Sequence, residues 1–223
     1  MRQVVLDTET TGLSPEGGDR IVEIGCVELV HGVPSGNTYQ QYVNPQRDVP
    51  EEVVAVHGLS EEFLSDHPPF AEIVDDFLAF LGDSTLVIHN AEFDMGFINY
   101  ELIKLGRPPL PMTRTVDTVR LARQKFPGAP SNLDALCRRF EIDNTDRALH
   151  GALKDSHLLA QVYLELTGGR QADLALAGPA RRQDSANAAA ARRPPRPHAL
   201  DAAEAAAHDR FVEEKLQNPV WRD

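Results

Sequence analysis

Cysteine is scarce in this 223-residue sequence, which contains only Cys26 and Cys137. The first lies in an apolar stretch typical of a strand, and the second lies in a stretch with helical periodicity. Two cysteines cannot form a zinc site alone, and disulfides are rare in cytosolic proteins. We therefore expect both to be reduced residues of the core without a redox role.

Long apolar runs are also missing. A membrane-spanning helix needs about 20 predominantly apolar residues, and no stretch of the chain resembles one. The chain enters a predicted strand at residue 2, so we expect no signal peptide. A hydrophobic content of 42% permits a proper core. These features predict a cytoplasmic protein with no membrane contact.

Positive charge is in short supply, because 22 Lys and Arg face 34 Asp and Glu and give a net charge of −12. Up to residue 169 the counts are 13 and 26, so this part carries −13. That sign is wrong for a protein that holds nucleic acid by electrostatics alone. The excess either serves solubility or implies a weak intrinsic grip on nucleic acid, so that the chain would benefit from a partner that presents the nucleic acid to it.

Two carboxylates stand close together near the amino terminus. Asp7 and Glu9 follow the apolar run Val4-Val5-Leu6. Side chains at positions i and i+2 of a strand face the same side, about 6 to 7 Å apart, and can share or bracket hard divalent cations. Alone, this pair would equally serve to cap the following turn.

Three further residues would complete a metal cluster. Asp94 ends the segment Asn90-Ala91-Glu92-Phe93-Asp94, and Asp155 follows His150 by five residues. Taken singly, Asp94 could cap a helix, and His150 could be a helix-entry residue bonded to backbone. Four carboxylates and one histidine, each at the edge of an apolar segment, together indicate a nuclease. Oxygen ligands favour Mg²⁺ or Mn²⁺ over zinc, and a histidine with a pKa near 6.5 suits the base that activates water.

The same residues carry a family resemblance. The run Asp7-x-Glu9-Thr10, the Asn90-x-x-x-Asp94 block and the His150-x-x-x-x-Asp155 block resemble the three motifs of the DEDDh 3′→5′ exonucleases. Within that superfamily, residues 1 to about 169 are similar to the epsilon proofreading subunits of bacterial DNA polymerase III. The segments that carry this closer similarity are Val87-Ile88-His89-Asn90-Ala91, Asn132-Leu133-Asp134-Ala135-Leu136-Cys137 and Leu149-His150-Gly151-Ala152-Leu153.

The resemblance implies a role for each predicted catalytic residue. Asp7, Glu9 and Asp155 would hold one of two divalent cations, Mg²⁺ or Mn²⁺, and Asp7 would bridge to the second. Asp94 would act through ordered water or the outer shell, and His150 would be the general base. The expected substrate is a DNA 3′ end.

Contacts to the terminal nucleotide are also implied by the resemblance. Leu13 lies four residues after Glu9, where related enzymes place an apolar wedge between the last two bases. Core packing is the alternative for Phe93, and His57 and His89 have either a supporting or a substrate-binding role. The predicted substrate-binding residues are Thr10, Leu13, His57, Asn90 and Phe93.

Hydrophobic periodicity predicts an α/β fold, a mixed sheet covered by helices, over an exonuclease domain of residues 1–169. This agrees with the ribonuclease-H-like fold that the resemblance implies. Strands are predicted at about 2–7, 20–31, 37–43 and 85–88. Helices are predicted at about 51–57, 70–81, 93–105, 116–125, 132–140 and 151–167, the last starting near Gly151 so that Asp155 lies in its second turn.

The composition changes after Gly168-Gly169. Residues 178–198 are rich in Ala, Arg and Pro with one acidic residue, which predicts a flexible linker. Before it, in the segment 170–177, Gln171, Leu174 and Leu176 resemble the short peptides that bind the bacterial sliding clamp.

A helical pattern returns in the tail, 199–223. Over residues 199–217, Leu200, Ala203, Ala207, Phe211 and Leu216 lie roughly on one face. A lone short helix cannot bury such a face within itself, so it docks in a groove of a partner or packs back on its own domain. The resemblance implies the polymerase (alpha) subunit as that partner.

Three functions are compatible with the sequence. The first is a replicative proofreading exonuclease that releases deoxynucleoside 5′-monophosphates from mismatched 3′ ends. The second is an RNA 3′ exonuclease of the same superfamily, which would give no reason for the clamp-like peptide, linker and tail. The third is a non-catalytic scaffold between clamp and polymerase, against which the five intact catalytic positions argue.

Overall fold

The structure is a computed structural model that describes residues 1–145, 149–168 and 201–215. The chain divides into two units, Met1–Leu174 and Ala175–Asp223. Within the described residues, no helix is both long and apolar enough to cross a membrane.

A five-stranded sheet forms the centre of the first unit, in the order β3-β2-β1-β4-β5. The β1–β2 and β2–β3 pairs are antiparallel, whereas β1–β4 and β4–β5 are parallel, so the sheet is mixed as predicted. The strands are Arg2–Thr10 (β1), Ile21–Val30 (β2), Val33–Tyr42 (β3), Thr85–Ile88 (β4) and Thr115–Asp117 (β5).

Helices occupy most of the remaining described chain. The six predicted helices are present with small changes at their ends, except that the helix predicted from residue 116 begins after a short strand. The helices of the first unit are Glu51–His57 (α1), Glu61–Ser65 (α2), Phe70–Leu81 (α3), Ala91–Lys104 (α4), Thr118–Lys125 (α5), Leu133–Arg139 (α6) and Ala152–Leu166 (α7). In the second unit, Ala202–Lys215 (α8) lies inside the predicted range 199–217.

The core has two layers, one on each face of the sheet. Val4 and Leu6 of β1 point into a cluster with α3 and α4, whereas Val5 points into a second cluster with α5, α6 and α7. This alternation follows from the two-residue period of a strand. Cys26 is buried in the first cluster and Cys137 in the second, and no disulfide joins them.

The prediction of one helix over 116–125 was wrong at its start. Thr115–Asp117 form β5, which pairs in parallel with Leu86–Ile88 of β4. The Asp117 carboxylate then accepts hydrogen bonds from the Val119 and Arg120 N–H groups at 2.8 and 3.3 Å and caps α5. A three-residue strand is too short to show a period, and the short helix α2 went unpredicted for the same reason.

A buried ion pair fixes α4, the helix that carries Asp94. The Arg20 guanidinium donates two hydrogen bonds to the Glu101 carboxylate, one of them of 2.8 Å from Nη2 to Oε2, and the Glu101 side chain is almost fully buried. Removing one partner of a buried pair typically costs about 3 to 5 kcal/mol, because it leaves the other charge uncompensated. Arg20 keeps some solvent contact, so we expect Glu101→Ala to lower the free energy of unfolding in urea by about 3 kcal/mol.

A matched control is available at the surface. Asp75, 77% exposed, pairs with Arg107 at 2.6 Å, and exposed pairs contribute less than about 1 kcal/mol. We therefore expect Asp75→Ala to change the unfolding free energy little. Equal effects of the two substitutions would contradict a structural role for the Arg20–Glu101 pair.

Candidate active site

The five predicted catalytic residues come together at one cleft. Two lie on β1, one lies on α4, one lies just before α7 and one lies in the first turn of α7, although up to 148 positions separate them in the sequence. Together they line a cavity of about 350 Å³. These residues are Asp7, Glu9, Asp94, His150 and Asp155.

The strand β1 continues to Thr10, so Asp7 and Glu9 stand within it rather than after it. Thr8, between them, donates two hydrogen bonds to one oxygen of Asp94, from its backbone N–H at 3.0 Å and from its hydroxyl at 2.7 Å. These hydrogen bonds connect the first turn of α4 to β1 at the residue between Asp7 and Glu9. The Asp94 carboxylate is thereby held beside the Asp7–Glu9 pair.

Burial has a large effect on Asp94, which is 3% exposed. Loss of hydration raises the pKa of Asp94 to about 7, although the hydrogen bonds from Thr8 lower it. Ionisation of this carboxyl group near neutral pH is therefore costly without a cation nearby. A divalent cation in the cleft would offset that cost, so the donor set fits a metal site.

Glu9, His150 and Asp155 form a tight group in the cleft, since one potential ligand atom from each lies within 4.8 Å of the other two. His150 Nδ1 is 3.5 Å from an Asp155 carboxylate oxygen. Asp155 is buried, whereas the His150 side chain is 48% exposed. This arrangement holds the imidazole at the open side of the cleft, where a substrate would enter.

Helix α7 sets the positions of His150 and Asp155. It begins at Ala152 after Gly151, as predicted, but Asp155 lies in the first turn rather than the second. The first turn faces the cleft, which Asp155 lines. Just before the helix, the His150 backbone N–H donates to the Val56 carbonyl at 3.0 Å. His150 is thus a helix-entry residue with a hydrogen-bonded backbone, and its side chain lines the cleft; its catalytic role stays a prediction.

Two residues of β2 that the sequence analysis did not single out hold the start of α7. Glu23, 2% exposed, accepts hydrogen bonds from the Ala152 N–H at 3.0 Å and from the Gln40 side chain at 2.9 Å. Gly25 accepts one from the Ser156 hydroxyl at 2.9 Å. The available signal was a glutamate and a glycine within the apolar run Ile21–Val27, since a buried acid needs a partner and a glycine permits close approach.

The predicted substrate contacts are distributed around the cleft rather than all within it. Phe93 lines the cavity and also packs on Phe97, with ring centroids 5.1 Å apart, so the packing alternative is confirmed and its contact with the substrate stays a prediction. Leu13 is 85% exposed. Thr10 is buried, and its hydroxyl donates to the Gly12 carbonyl at 2.6 Å. Asn90 adopts a left-handed conformation with φ 67° before α4 and lines a neighbouring cavity.

The two histidines whose roles were left open differ in their surroundings. His57 is buried at the end of α1, and its Nδ1 accepts a hydrogen bond from the Leu59 N–H at 3.0 Å. Burial lowers the pKa of His57, and His150 lowers it further, whereas the Thr10 backbone raises it. His89 lines the carboxylate cleft, and its Nδ1 lies 2.8 Å from the Thr118 hydroxyl.

The predicted clamp-binding residues Gln171, Leu174 and Leu176 lie outside the described residues, as does the predicted linker 178–198. Those assignments stay predictions.

Known proteins resemble this chain over most of its length. The model of the family described as Exonuclease (RNase_T) matches residues 4–163. A DNA polymerase III subunit epsilon from Rickettsia prowazekii (strain Madrid E) is 56% identical over 174 residues, which cover 77% of this chain and 76% of that relative.

Solved structures agree with the fold. Exonuclease X in complex with 5′ overhanging duplex DNA is 26% identical with a TM-score of 0.59, covering 74% of this chain and 90% of that one. The nuclease domain of 3′hExo, a DEDDh family member bound to rAMP, is 20% identical with a TM-score of 0.63, covering 74% and 91%. The ribonuclease-H-like fold that the resemblance implied is thereby confirmed. The chain belongs to the exonuclease family and, within it, to the epsilon proofreading subunits of bacterial DNA polymerase III.

Proposed function

We propose that this proofreading exonuclease removes nucleotides one at a time from mismatched DNA 3′ ends by metal-dependent hydrolysis at the carboxylate cleft. The observation that carries the proposal is the convergence of Glu9, His150 and Asp155, whose ligand atoms lie within 4.8 Å of one another, in a cavity that Asp7 and Asp94 also line. The products would be deoxynucleoside 5′-monophosphates.

The cleft would hold two Mg²⁺ or Mn²⁺ ions through Asp7, Glu9 and Asp155, with Asp94 contributing through water. Cations bound there supply charge stabilisation for the phosphate oxygens and for the attacking and leaving oxygens. Asp94 serves the site best in its ionised form, which the Thr8 hydrogen bonds favour against burial.

His150 is the general base in this proposal. A neutral imidazole with its proton on Nδ1, toward Asp155, presents Nε2 as the acceptor for the proton of the attacking water. As that proton leaves, the water oxygen bonds to phosphorus and the bond to the 3′ oxygen of the preceding nucleotide breaks. The partial exposure of His150 leaves room for the scissile phosphate.

The role of His150 can be separated from metal binding. We expect His150→Ala to lower kcat by about 100- to 10,000-fold, the usual contribution of a positioned base. Metal affinity measured by titration calorimetry should stay close to that of the unmodified protein. A parallel loss of Mn²⁺ affinity would instead make His150 a metal ligand, which its place in the tight group with Glu9 and Asp155 also permits.

Selection of mismatched ends follows from the energy of opening a terminal pair. A mismatched end frays more easily, and an unpaired base offers its face for stacking on an aromatic side chain. Phe93 is the aromatic residue among those that line the cleft. A paired terminus must first lose its pairing and stacking, so it enters more slowly.

The test compares DNA oligonucleotides with a paired or a mismatched 3′ end and an RNA of equal length, each with Mg²⁺, with Mn²⁺ and with EDTA. Metal-dependent release of single nucleotides, fastest from mismatched DNA, is the expected result. A preference for RNA would favour the RNA 3′ exonuclease instead. Absence of degradation with either Mg²⁺ or Mn²⁺ would leave the scaffold function.

Partners are proposed from the relatives and from the tail. In α8, Ala203, Ala207 and Phe211 recur every four residues on one side of the helix, and Phe211 is 56% exposed. We propose that the tail 199–223 binds the polymerase (alpha) subunit, that residues 171–176 bind the sliding clamp, and that the protein works in the bacterial cytoplasm. Loss of polymerase binding from a chain ending at residue 169, with nuclease activity retained, would support the division into domains at 169.

A further inference from the structure

A second cavity, of about 590 Å³, adjoins the carboxylate cleft, because His89 and Asn132 line both. Its basic side chains are Arg120 and Arg123 of α5. We propose that these two arginines bind a backbone phosphate of the strand being degraded, upstream of the scissile phosphodiester. The assignment rests on the proposed nuclease function and extends the substrate site beyond the terminal nucleotide.

The placement of the two arginines suits this role. They are three residues apart on α5, so they project from the same side of the helix, and both are exposed. Among the described residues, neither takes part in an ion pair within 4.0 Å. A guanidinium without a carboxylate partner keeps its planar array of donors available for a phosphate, which it can contact through two parallel hydrogen bonds.

The charge distribution singles out this cavity as the place for a second phosphate. Carboxylates dominate the cleft, so without cations it repels a polyanion. In the neighbouring cavity, the acidic side chains are Glu92 and Asp117, and Asp117 is engaged in capping α5. The two arginines therefore provide attraction in a domain that carries −13 overall.

The chemistry of the substrate identifies which phosphate this is. A 3′-terminal nucleotide carries one phosphate, and that one is scissile and must occupy the carboxylate cleft. Any phosphate in the adjoining cavity belongs to another nucleotide, either upstream in the same strand or in a complementary strand. We favour the same strand because the DNA must continue from the cleft into a neighbouring space. This cavity is such a space, since His89 and Asn132 line both the cavity and the cleft.

The double variant Arg120→Gln, Arg123→Gln tests the assignment, with Arg138→Gln as the control. Arg138 is exposed on α6 and is not among the residues that line either cavity. Two substrates are compared: a single-stranded DNA oligonucleotide and the p-nitrophenyl ester of thymidine 5′-monophosphate, which has no upstream phosphate. We expect KM for the oligonucleotide to rise about tenfold in the double variant, while hydrolysis of the ester is unchanged.

Salt dependence provides a second readout that a structural defect would not mimic. Each phosphate contact to a single strand contributes about 0.7 to the slope of log affinity against log salt. Because the two arginines bind the same phosphate, the double variant should show a slope smaller by about 0.7. The control variant should match the unmodified protein in both measurements.

Other results would overturn the assignment. A parallel loss of ester hydrolysis would make the effect structural. If KM for the single strand is unchanged, a duplex with the same 3′ strand is assayed next, and a higher KM for that duplex alone would place the arginines on the complementary strand. Unchanged kinetics with both the single strand and the duplex would remove the site altogether. If the unmodified protein hydrolyses neither substrate, the proposed nuclease function itself is wrong. That outcome is distinguishable from the three results above, because each of them requires an active unmodified protein.

Discussion

Exonuclease activity should fall by at least about 1,000-fold when Asp7 is replaced by asparagine, since a metal site contributes several kcal/mol of transition-state stabilisation and each 1.36 kcal/mol is tenfold in rate. The amide keeps the shape of the carboxylate but removes the negative charge through which Asp7 would contact both cations. Nucleotide release from mismatched DNA under saturating Mg²⁺ measures the loss. Mn²⁺ binding followed by calorimetry should weaken in parallel.

Asp48→Asn is the matched control, because Asp48 is 82% exposed outside the cleft. It should keep full activity. The Asp7→Asn variant should also unfold at no lower a temperature than the unmodified protein, since it removes one charge from a crowded group of carboxylates. Retention of activity in that variant would mean that the cleft does not carry the reaction.

The spacing within several segments, taken together, predicted which residues line this candidate site. Asp7 and Glu9 were recognisable because they stand two residues apart beyond an apolar run, and the i, i+2 rule holds in any strand. His150 and Asp155 were recognisable because a helix begins between them. Such patterns depend on a few neighbouring residues. The Asp117 cap of α5 also depends on neighbouring residues, but it was not predicted because the three-residue strand before it was not predicted.

Features that depend on distant contacts could not be predicted in this way. The bond from Thr8 to Asp94 spans 86 positions, and the bond from Ala152 to Glu23 spans 129. Both follow from the way the helices pack on the sheet, which no periodicity specifies. The position of Asn90 in a cavity beside the cleft, together with Arg120 and Arg123, likewise depends on the meeting of α4, α5 and the loop before α6.

The contact between β2 and α7 predicts the second large effect. A methyl group added at Gly25 would lie 2.1 Å from the Leu153 backbone nitrogen and 2.2 Å from the Ala152 carbonyl carbon. Because both are backbone atoms, no side-chain rotation relieves the clash, and the start of α7 must move. We expect Gly25→Ala to lower the free energy of unfolding by about 3 kcal/mol, as overpacking does. It should also lower kcat about 100-fold, since misplacement of catalytic groups by about 1 Å has that effect.

Gly96→Ala separates this explanation from a general sensitivity to added methyl groups. Gly96 lies inside α4, and nothing stands within 4 Å of an added Cβ, so the change should stabilise the protein by about 0.5 to 1 kcal/mol and leave kcat unchanged. Both variants are assayed well below their unfolding temperatures. A Gly25→Ala protein that is destabilised yet fully active when folded would show that α7 can shift without displacing His150 and Asp155. Loss of both properties together would make the closeness of β2 and α7 a condition of catalysis, because β2 contacts the start of the helix that carries Asp155 and begins just after His150.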